Sequence, residues 1–431
     1  MKILFISDNF PPEVNAPASR TWEHCREWVK AGEHITVITC APNFPQGVVY
    51  PGYHNRIWSR ELMDGIRVIR VWTYISANHG FIRRVVDYFS FAVTGFWAGL
   101  FERADLIVTT SPQFFTNLAG WGLSRVRRKP WIFELRDLWP DSILTVGVMK
   151  RTKMIDILER LELFFYRKAH RIVAVTDAFK QNLTKRGIDP GKIEVIPNGI
   201  DPERFYSRPK ERKLLEQLNL KDKFVVGYIG THGMAHSLDF IVSSLKYLDD
   251  PKIHFLFVGD GAEKQKILSL AKNAQLENVT FLDPISRKEV PIYLSICDAT
   301  LVPLKKSNTF KTVIPSKIFE AAALQRPILL GLEGQAKEII EAYGAGICFE
   351  PENSLDFLDK VQQLCVDSCL YDQLRLGCQK LALAYNRKSL AHEMLKVITE
   401  LQKADDPIFF SHLSKTRWHE NENLTHSRRT S

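Results

Sequence analysis

The sequence predicts an α/β protein of two doubly wound, Rossmann-like domains facing a central cleft. Three observations predict it. Apolar runs of strand length, bounded by turn residues, alternate with helical patterns along the whole chain, which is the pattern of parallel sheets covered on both faces. The alternation breaks once, between Pro197 and Lys223, where Pro197-Asn198-Gly199, Asp201-Pro202 and the charged stretch 208–212 interrupt it. The 431 residues, 45% apolar and 25% charged, are enough for two cores at roughly 100 to 200 residues each. Disorder is excluded by that composition, and 23 Gly with 21 Pro in no period exclude collagen-like and other low-complexity classes.

The elements follow in order. The first strand is read at 3–6 and ends at Ser7-Asp8-Asn9, too soon for the hydrophobic region of an export signal. Strands follow at 35–39, 68–71, 106–109, 131–134, 172–175 and 194–196, each an apolar run rich in β-branched residues. A second series occupies 225–229, 253–258, 279–282, 299–302, 328–330 and 346–349. The domains are therefore set at 1–200 and 201–380, and their ligands are expected where strand carboxyl ends face each other across the cleft. The helical segment 381–402 is a candidate to return to the first domain, and the polar tail 403–431 has little to bury. His412, His419 and His426 recur every seven residues in that tail, a spacing that chance explains better than a metal site.

Seven scattered cysteines, an odd number with no C-x-x-C pair and no Cys/His cluster at zinc spacing, fit a reducing cytoplasm and give no metal site. Charge is uneven: the first 205 residues carry 28 Lys/Arg against 21 Asp/Glu, the remainder 30 against 28. A basic first half suits nucleic acid, an anionic membrane or a phosphorylated substrate, and no nucleic-acid module with interleaved aromatics is present.

One segment bears on the membrane. Arg83 and Arg84 precede an uncharged run, 88–101, containing Phe89, Phe91, Phe96, Trp97 and Phe101. The run falls short of the about 20 apolar residues a bilayer-spanning helix needs. It suits either a helix packed inside the first domain or one lying on an anionic membrane surface.

The nucleotide chemistry is narrowed by what is missing. Gly259-Asp260-Gly261 follows a strand, but Lys264 stands where a dinucleotide fingerprint has its third Gly, and no P-loop occurs. The informative stretch is 310–331, where Pro315 and Ser316 lead into an apolar helix. Ser316 is a plausible N-cap. Lys317 sits in the first turn, where the helix dipole disfavours a cation, and that placement makes sense facing a phosphate. Glu320, one turn on, is placed to accept two hydrogen bonds from the vicinal hydroxyls of a ribose. The alternative is a Glu that stabilises the dipole beside a surface Lys.

Val195-Ile196-Pro197-Asn198-Gly199-Ile200-Asp201 with Phe205, then Gly227-Tyr228-Ile229-Gly230, Phe257 to Gly261, Cys297-Asp298-Ala299 and Pro315-Ser316-Lys317 through Glu320, occur in an order that resembles the retaining glycosyltransferases of family 4, which have the two-domain GT-B fold. Phe10-Pro11-Pro12-Glu13 with Arg20, and Leu135-Arg136-Asp137-Leu138-Trp139-Pro140, are similar to the bacterial O-antigen and capsule branch that transfers N-acetyl-fucosamine-type sugars. The resemblance spans roughly residues 1–400.

It implies an acceptor-binding first domain and a nucleotide-sugar-binding second domain. The implied enzyme is a metal-independent retaining hexosyltransferase with no cofactor. Its donor is a UDP-linked sugar, its acceptor a lipid-linked diphosphosugar, and its place the cytoplasm, peripherally on the inner face of the cell membrane. Donor residues carried over are Glu320, Ser316, Thr312, Gly230, Thr231, His232 and Asn15; catalytic ones are Lys317, Arg136 and Asp137. Glu13, Arg83, Arg84 and Trp97 are assigned to the acceptor or the membrane.

The chain departs from the family pattern in several places. Thr312 replaces the first Glu of the E-x7-E motif, and the Arg and Lys that usually hold the diphosphate are absent from 230–236, leaving Lys317 as the candidate replacement. Asn15-Ala16-Pro17 replaces the paired-Gly loop, and Arg136, followed by Asp137, takes the place of the common His. The alternatives for these residues are a surface ion pair at Arg136-Asp137, and loop histidines without a ligand at His232 and His236. The rival functions are a UDP-sugar 2-epimerase on the same fold and an inactive donor-binding subunit.

Overall fold

The computed structural model describes residues 1–13, 15–44, 46–75, 81–139, 152–308 and 310–405; Pro140 of the Leu135 motif and the tail beyond Asp405, with its three histidines, lie outside the described residues. The first sheet has eight strands: β1 (Lys2–Ile6), β2 (His34–Cys40), β3 (Trp58–Met63), β4 (Ile66–Val71), β5 (Leu106–Thr110), β6 (Trp131–Leu135), β7 (Arg171–Ala174) and β8 (Ile193–Val195). Their order is β3-β4-β2-β1-β5-β6-β7-β8. The second sheet is formed by β9 (Phe224–Ile229), β10 (Ile253–Val258), β11 (Val279–Leu282), β12 (Ala299–Pro303), β13 (Ile328–Gly331) and β14 (Gly346–Cys348), in the order β11-β10-β9-β12-β13-β14. Connections reverse direction beside β1 and beside β9, so each sheet has a switch point where its strand-end loops part to leave a crevice.

Central strands are continuously apolar because both faces are covered. Leu4 and Ile6 of β1 pack with Phe91 and Phe133 on one face; Ile3 and Phe5 pack with Trp28, Met394 and Ile398 on the other. One strand departs from the parallel expectation. β3 runs antiparallel to β4 through a tight turn at Asp64 (φ 51°) and Gly65 (φ 80°), the Asp-Gly pair such hairpins favour. Its polar sequence escapes an apolar-run search because it is an edge strand with half-buried and exposed positions.

The two domains are joined twice. The chain leaves β8 through Pro197-Asn198-Gly199 and returns at Tyr385-Asn386, where Ile200 and Asn386 form a parallel bridge. Gly199 is required there, since a Cβ would collide with the Tyr385 carbonyl. The returning segment is not one helix from residue 381: the helix Ser368–Ala384 stops, and the helix Arg387–Asp405 starts afresh and packs on α1 (Ala16–Lys30). The indole N–H of Trp28 in α1 donates to the Ala391 carbonyl at 2.8 Å. Arg20, also on α1, is almost wholly buried and holds the crossing through Glu134 at 2.8 Å and the carbonyls of Ile196 and Pro197 at 2.9 and 2.6 Å.

Candidate active site

A cavity of about 500 Å³ lies between the sheets, lined from both. The first domain supplies Asn15, Ala16 and Ser19 at the start of α1, with Phe44 from the loop after β2. The second supplies Gly230 and Thr231 after β9, Gly259 and Asp260 after β10, and Ile285 and Arg287 after β11. Ser316, Lys317 and Glu320 come from the helix Lys317–Ala323 and its approach, and Arg387 from the second crossing. These are carboxyl-end positions, as the fold requires. A larger cavity, about 660 Å³, is lined by Lys2, His34 and Arg67 at the opposite ends of β1, β2 and β4.

Lys317 is the lysine of the cavity wall. Its ammonium sits 3.6 Å from the centre of the Tyr228 ring and makes no hydrogen bond among the described residues. Burial pushes its pKa down to about 7, against a smaller upward pull from Glu320. Gly230 makes room for it, because a Cβ there would lie 2.6 Å from Nζ, and Gly230 has φ 142° besides. Glu320 is raised by burial and held back by the nearby Arg287, Lys317 and Arg387. A buried cation without a hydrogen-bond partner beside a cavity favours an anionic ligand there.

Asn15 behaves as a helix cap with a spare donor: its Oδ1 accepts from the Ala18 amide at 2.9 Å, while its buried Nδ2 has no partner among the described residues. Ser316 departs from the expected cap. It lines the cavity, but its backbone is helical (φ −60°, ψ −23°) and its hydroxyl makes no capping bond.

His232 lies behind the cavity wall. It is 0% exposed and stands outside the lining, in the layer beneath Gly259 and Asp260. Burial, with Lys264 and Lys317 nearby, lowers its pKa to about 4, and His236 falls to about 3 for the same main reason. The Gly259-Asp260-Gly261 motif serves this packing. A Cβ on Gly259 would strike the Gly230 carbonyl, and one on Gly261 the backbone of His232.

Other expected residues fall elsewhere. Thr312 is half-buried in the turn Phe310–Thr312 and outside the lining. Arg136 and Asp137, just past β6, are also outside it, and their amides donate to the Ser111 hydroxyl at 2.7 and 3.3 Å. Arg136 makes no ion pair with Asp137; burial brings its pKa down to about 10, with Glu134 pulling it up and Arg20 and Arg387 adding to the fall. Glu13 turns inward, its Oε1 accepting the Asn43 and Phe44 amides at 2.8 and 2.9 Å, so it shapes the loop that carries Phe44 and stands outside the cavity lining. Arg83 is exposed on α2 (Phe81–Leu100), and Arg84 donates to the Tyr88 hydroxyl at 3.0 Å. Trp97, 58% exposed, continues an apolar stripe with Val86, Phe89 and Val93, while Phe91, Ala92 and Ala98 face the core. The helix is thus both packed and exposed.

Two arginines were missed by sequence. Arg387 pairs with Glu23 of α1, and Arg287 approaches the same carboxylate at 3.7 Å, so one acid of the first domain holds two cations at the cleft. In the sequence Arg287 looks like part of a charged surface run, and only its position after β11 could have marked it. Among the described residues no three His, Cys, Asp or Glu side chains gather as a metal site, and no helix is long and apolar enough to cross a membrane.

Comparison with known proteins agrees with this fold. Residues 15–199 match the Glycosyl transferase 4-like domain, and residues 210–379 match Glycosyl transferases group 1. The chain is 25% identical over 367 residues to the "Putative colanic acid biosynthesis glycosyl transferase WcaI" of Escherichia coli, covering 82% of this chain and 89% of that one. It is 25% identical over 239 residues to the "Probable glycosyltransferase WbjE" of Pseudomonas aeruginosa, covering 54% and 60%. Among solved structures, sucrose-phosphate synthase of Thermosynechococcus elongatus superposes with a TM-score of 0.77 at 17% identity, over 94% of this chain and 99% of that one. HepE of Anabaena, in complex with UDP and glucose, gives 0.68 at 16% identity, over 93% and 100%. With the two matched regions spanning both sheets, the chain belongs to the family 4 glycosyltransferases and has their GT-B fold.

Proposed function

We propose that the protein is a retaining, metal-independent glycosyltransferase that moves a sugar, an N-acetylated amino sugar, from a UDP-linked donor to a lipid-linked diphosphosugar during assembly of a bacterial surface polysaccharide. The observation that carries this reading is the pairing, in one interdomain cavity, of an unpartnered buried ammonium at Lys317 with a carboxylate one helical turn on at Glu320. A nucleoside diphosphate has the complementary groups, two vicinal ribose hydroxyls and a diphosphate. In the proposed reaction the bond from the sugar C1 to the diphosphate oxygen breaks, and its electron pair leaves with UDP. Lys317 meets the growing negative charge. The acceptor hydroxyl bonds to C1 from the same face, and its proton passes to the departing phosphate oxygen.

Likeness in sequence to the polysaccharide-related relatives supports the pathway class, and the UDP complex of HepE supports the nucleotide. The stripe Val86, Phe89, Val93 and Trp97, with Arg83 exposed at the same helix, supports a resting place on an anionic membrane, where a lipid-linked acceptor is found. A 2-epimerase would have no use for that stripe. The test is incubation of the purified protein with radiolabelled UDP-sugars and a bacterial lipid extract. Transfer of label into the lipid phase, unaffected by EDTA, is expected; conversion of a free UDP-sugar to its C2 epimer, or no turnover of any donor, would overturn the reading.

A further inference from the structure

The cavity at the amino ends of the first sheet lies apart from the donor cavity and shares no lining residue with it. Its volume is about 660 Å³, and four cations line it, Lys2, Arg60, Arg67 and Arg103, against two carboxylates, Glu33 and Glu102. Asp105, whose carboxylate accepts the Lys2 amide at 2.7 Å, stands outside the lining. The arginines outnumber their acid. One oxygen of the buried Glu102 takes Arg67 at 2.7 Å and Arg60 at 3.5 Å. A guanidinium donates in several directions, so two of them sharing one oxygen keep most of their hydrogen-bonding capacity unspent. Forks of that kind fit the oxygens of a phosphate.

Apolar side chains frame the same cavity. β3 pairs Leu62 directly with Arg67, so the two project from one face of the sheet, and Arg60 lies on that face two residues along. Leu62 is 77% exposed. Phe101 lines the cavity at 73% exposed, in the turn that ends α2 and four residues past Trp97, so it carries the stripe of Val86, Phe89, Val93 and Trp97 down to the cavity. Its ring meets the Trp58 ring edge-on at 6.4 Å, and the Arg60 guanidinium lies 5.2 Å from the centre of that second ring. Cations set among exposed apolar side chains suit an amphiphile better than a free ion, because only hydrocarbon removes the apolar surface from water.

We infer that this cavity binds the head group of an anionic phospholipid, with Arg60, Arg67, Lys2 and Arg103 around the phosphate and Leu62 and Phe101 against the acyl chains. The inference rests on the membrane reading of α2 for where such a lipid is met, and it owes nothing to the donor cavity. It adds what a resting surface lacks, a single lipid held at a defined place. With α2 as one contact and the cavity as a second, the first domain has a fixed tilt on the bilayer, and the cleft at the other end of its strands has a fixed height.

The test is calorimetric, on the full chain, with dihexanoyl phosphatidylglycerol below its micelle concentration as the probe. It binds at a single site, dihexanoyl phosphatidylcholine binds at least about tenfold more weakly, and saturating UDP changes neither result. Lys2→Glu with Arg103→Glu, both at exposed positions, weakens the anionic lipid by at least about tenfold and keeps the melting temperature. Phe101→Ser weakens it too, and inorganic phosphate, the free-ion probe, binds at least about tenfold more weakly than the lipid. Trp97→Glu lowers recovery on vesicles yet leaves this titration unchanged, which separates the cavity from the stripe. No binding of the short-chain lipid, or equal binding to the double variant, overturns the site. Inorganic phosphate binding as tightly as the lipid, with Phe101→Ser without effect, overturns the head group. A failed titration alongside vesicle recovery that Trp97→Glu abolishes overturns the head-group site and leaves the membrane reading of α2 standing.

Discussion

The ammonium of Lys317 rests 3.6 Å from the centre of the Tyr228 ring, and among the described residues no oxygen accepts its protons. The ring face gives a partial substitute for water, enough to hold the chain in place and too little to hold the charge. The lysine's pKa accordingly falls to about 7. Folding thus disfavours the charged form, a cost that grows as pH falls below the unfolded value and is complete below about 7. An arriving diphosphate reverses the shift.

UDP affinity should therefore fall as pH rises above about 7, because binding then has to recruit a proton to Lys317. Calorimetry at several pH values in buffers of different ionisation enthalpy measures that uptake directly. Lys317→Arg should bind with a flat profile over the same range. A wild type with no pH dependence and no proton uptake would show that Lys317 is already charged without a ligand.

Lys317→Ala should lower kcat and leave the loss unrepaired by excess donor, since the charge it meets grows as the bond to the leaving group breaks. Saturation kinetics separate the cases. Full recovery at high donor concentration would confine Lys317 to ground-state binding.

Glu320→Ala should reduce kcat/KM by about 100-fold or more and weaken UDP binding, given about 1.5 to 3 kcal/mol for each charged hydrogen bond to the ribose. A 2′-deoxy nucleotide should lose little further in this variant, because the bond it lacks is already gone. Normal turnover by Glu320→Ala would return the residue to a helix-dipole role.

The protein should sediment with vesicles of anionic lipid, be partly released by salt, and bind neutral vesicles less. Trp97→Glu, at an exposed site, should weaken that association without changing the melting temperature. Equal recovery from both kinds of vesicle, or none, would leave the stripe on α2 without a membrane role.

Met394→Ala should destabilise the first domain by about 2 to 5 kcal/mol although it lies near the far end of the described chain, because its side chain fills that domain's core. Denaturant unfolding followed through the buried Trp28 gives the measurement. A loss below about 1 kcal/mol would mean the helix Arg387–Asp405 only rests on the surface.

The sheets were legible because each central strand is a buried apolar run, and periodicity reads burial. β3 was not, since an edge strand alternates weakly and carries charge; its Asp64-Gly65 turn was the signal available. At the site, Lys317 stood out through its misfit with the helix dipole, and Glu320 through its place one turn further on. Arg287 and Arg387 were not, because their meaning comes from a shared carboxylate, Glu23, more than 250 residues away in sequence. His232 looked like a ligand residue for the opposite reason: sequence shows a polar ring in a loop and cannot show that two glycines let a neighbouring loop close over it. Ser316 has the right residue type for a cap and the wrong backbone angles, and angles are set by the tertiary packing around it.

The helix Arg387–Asp405 also sets an order of assembly. The domain whose strands leave the ribosome first is finished last, since Trp28 stays uncovered until Ala391, Met394 and Ile398 have been synthesised. During translation that apolar face is open to chaperones. A message truncated anywhere before the helix Arg387–Asp405 yields a chain with an unclosed first domain, even when the second is whole, and protein quality control is offered a sticky surface by which to recognise the unfinished product.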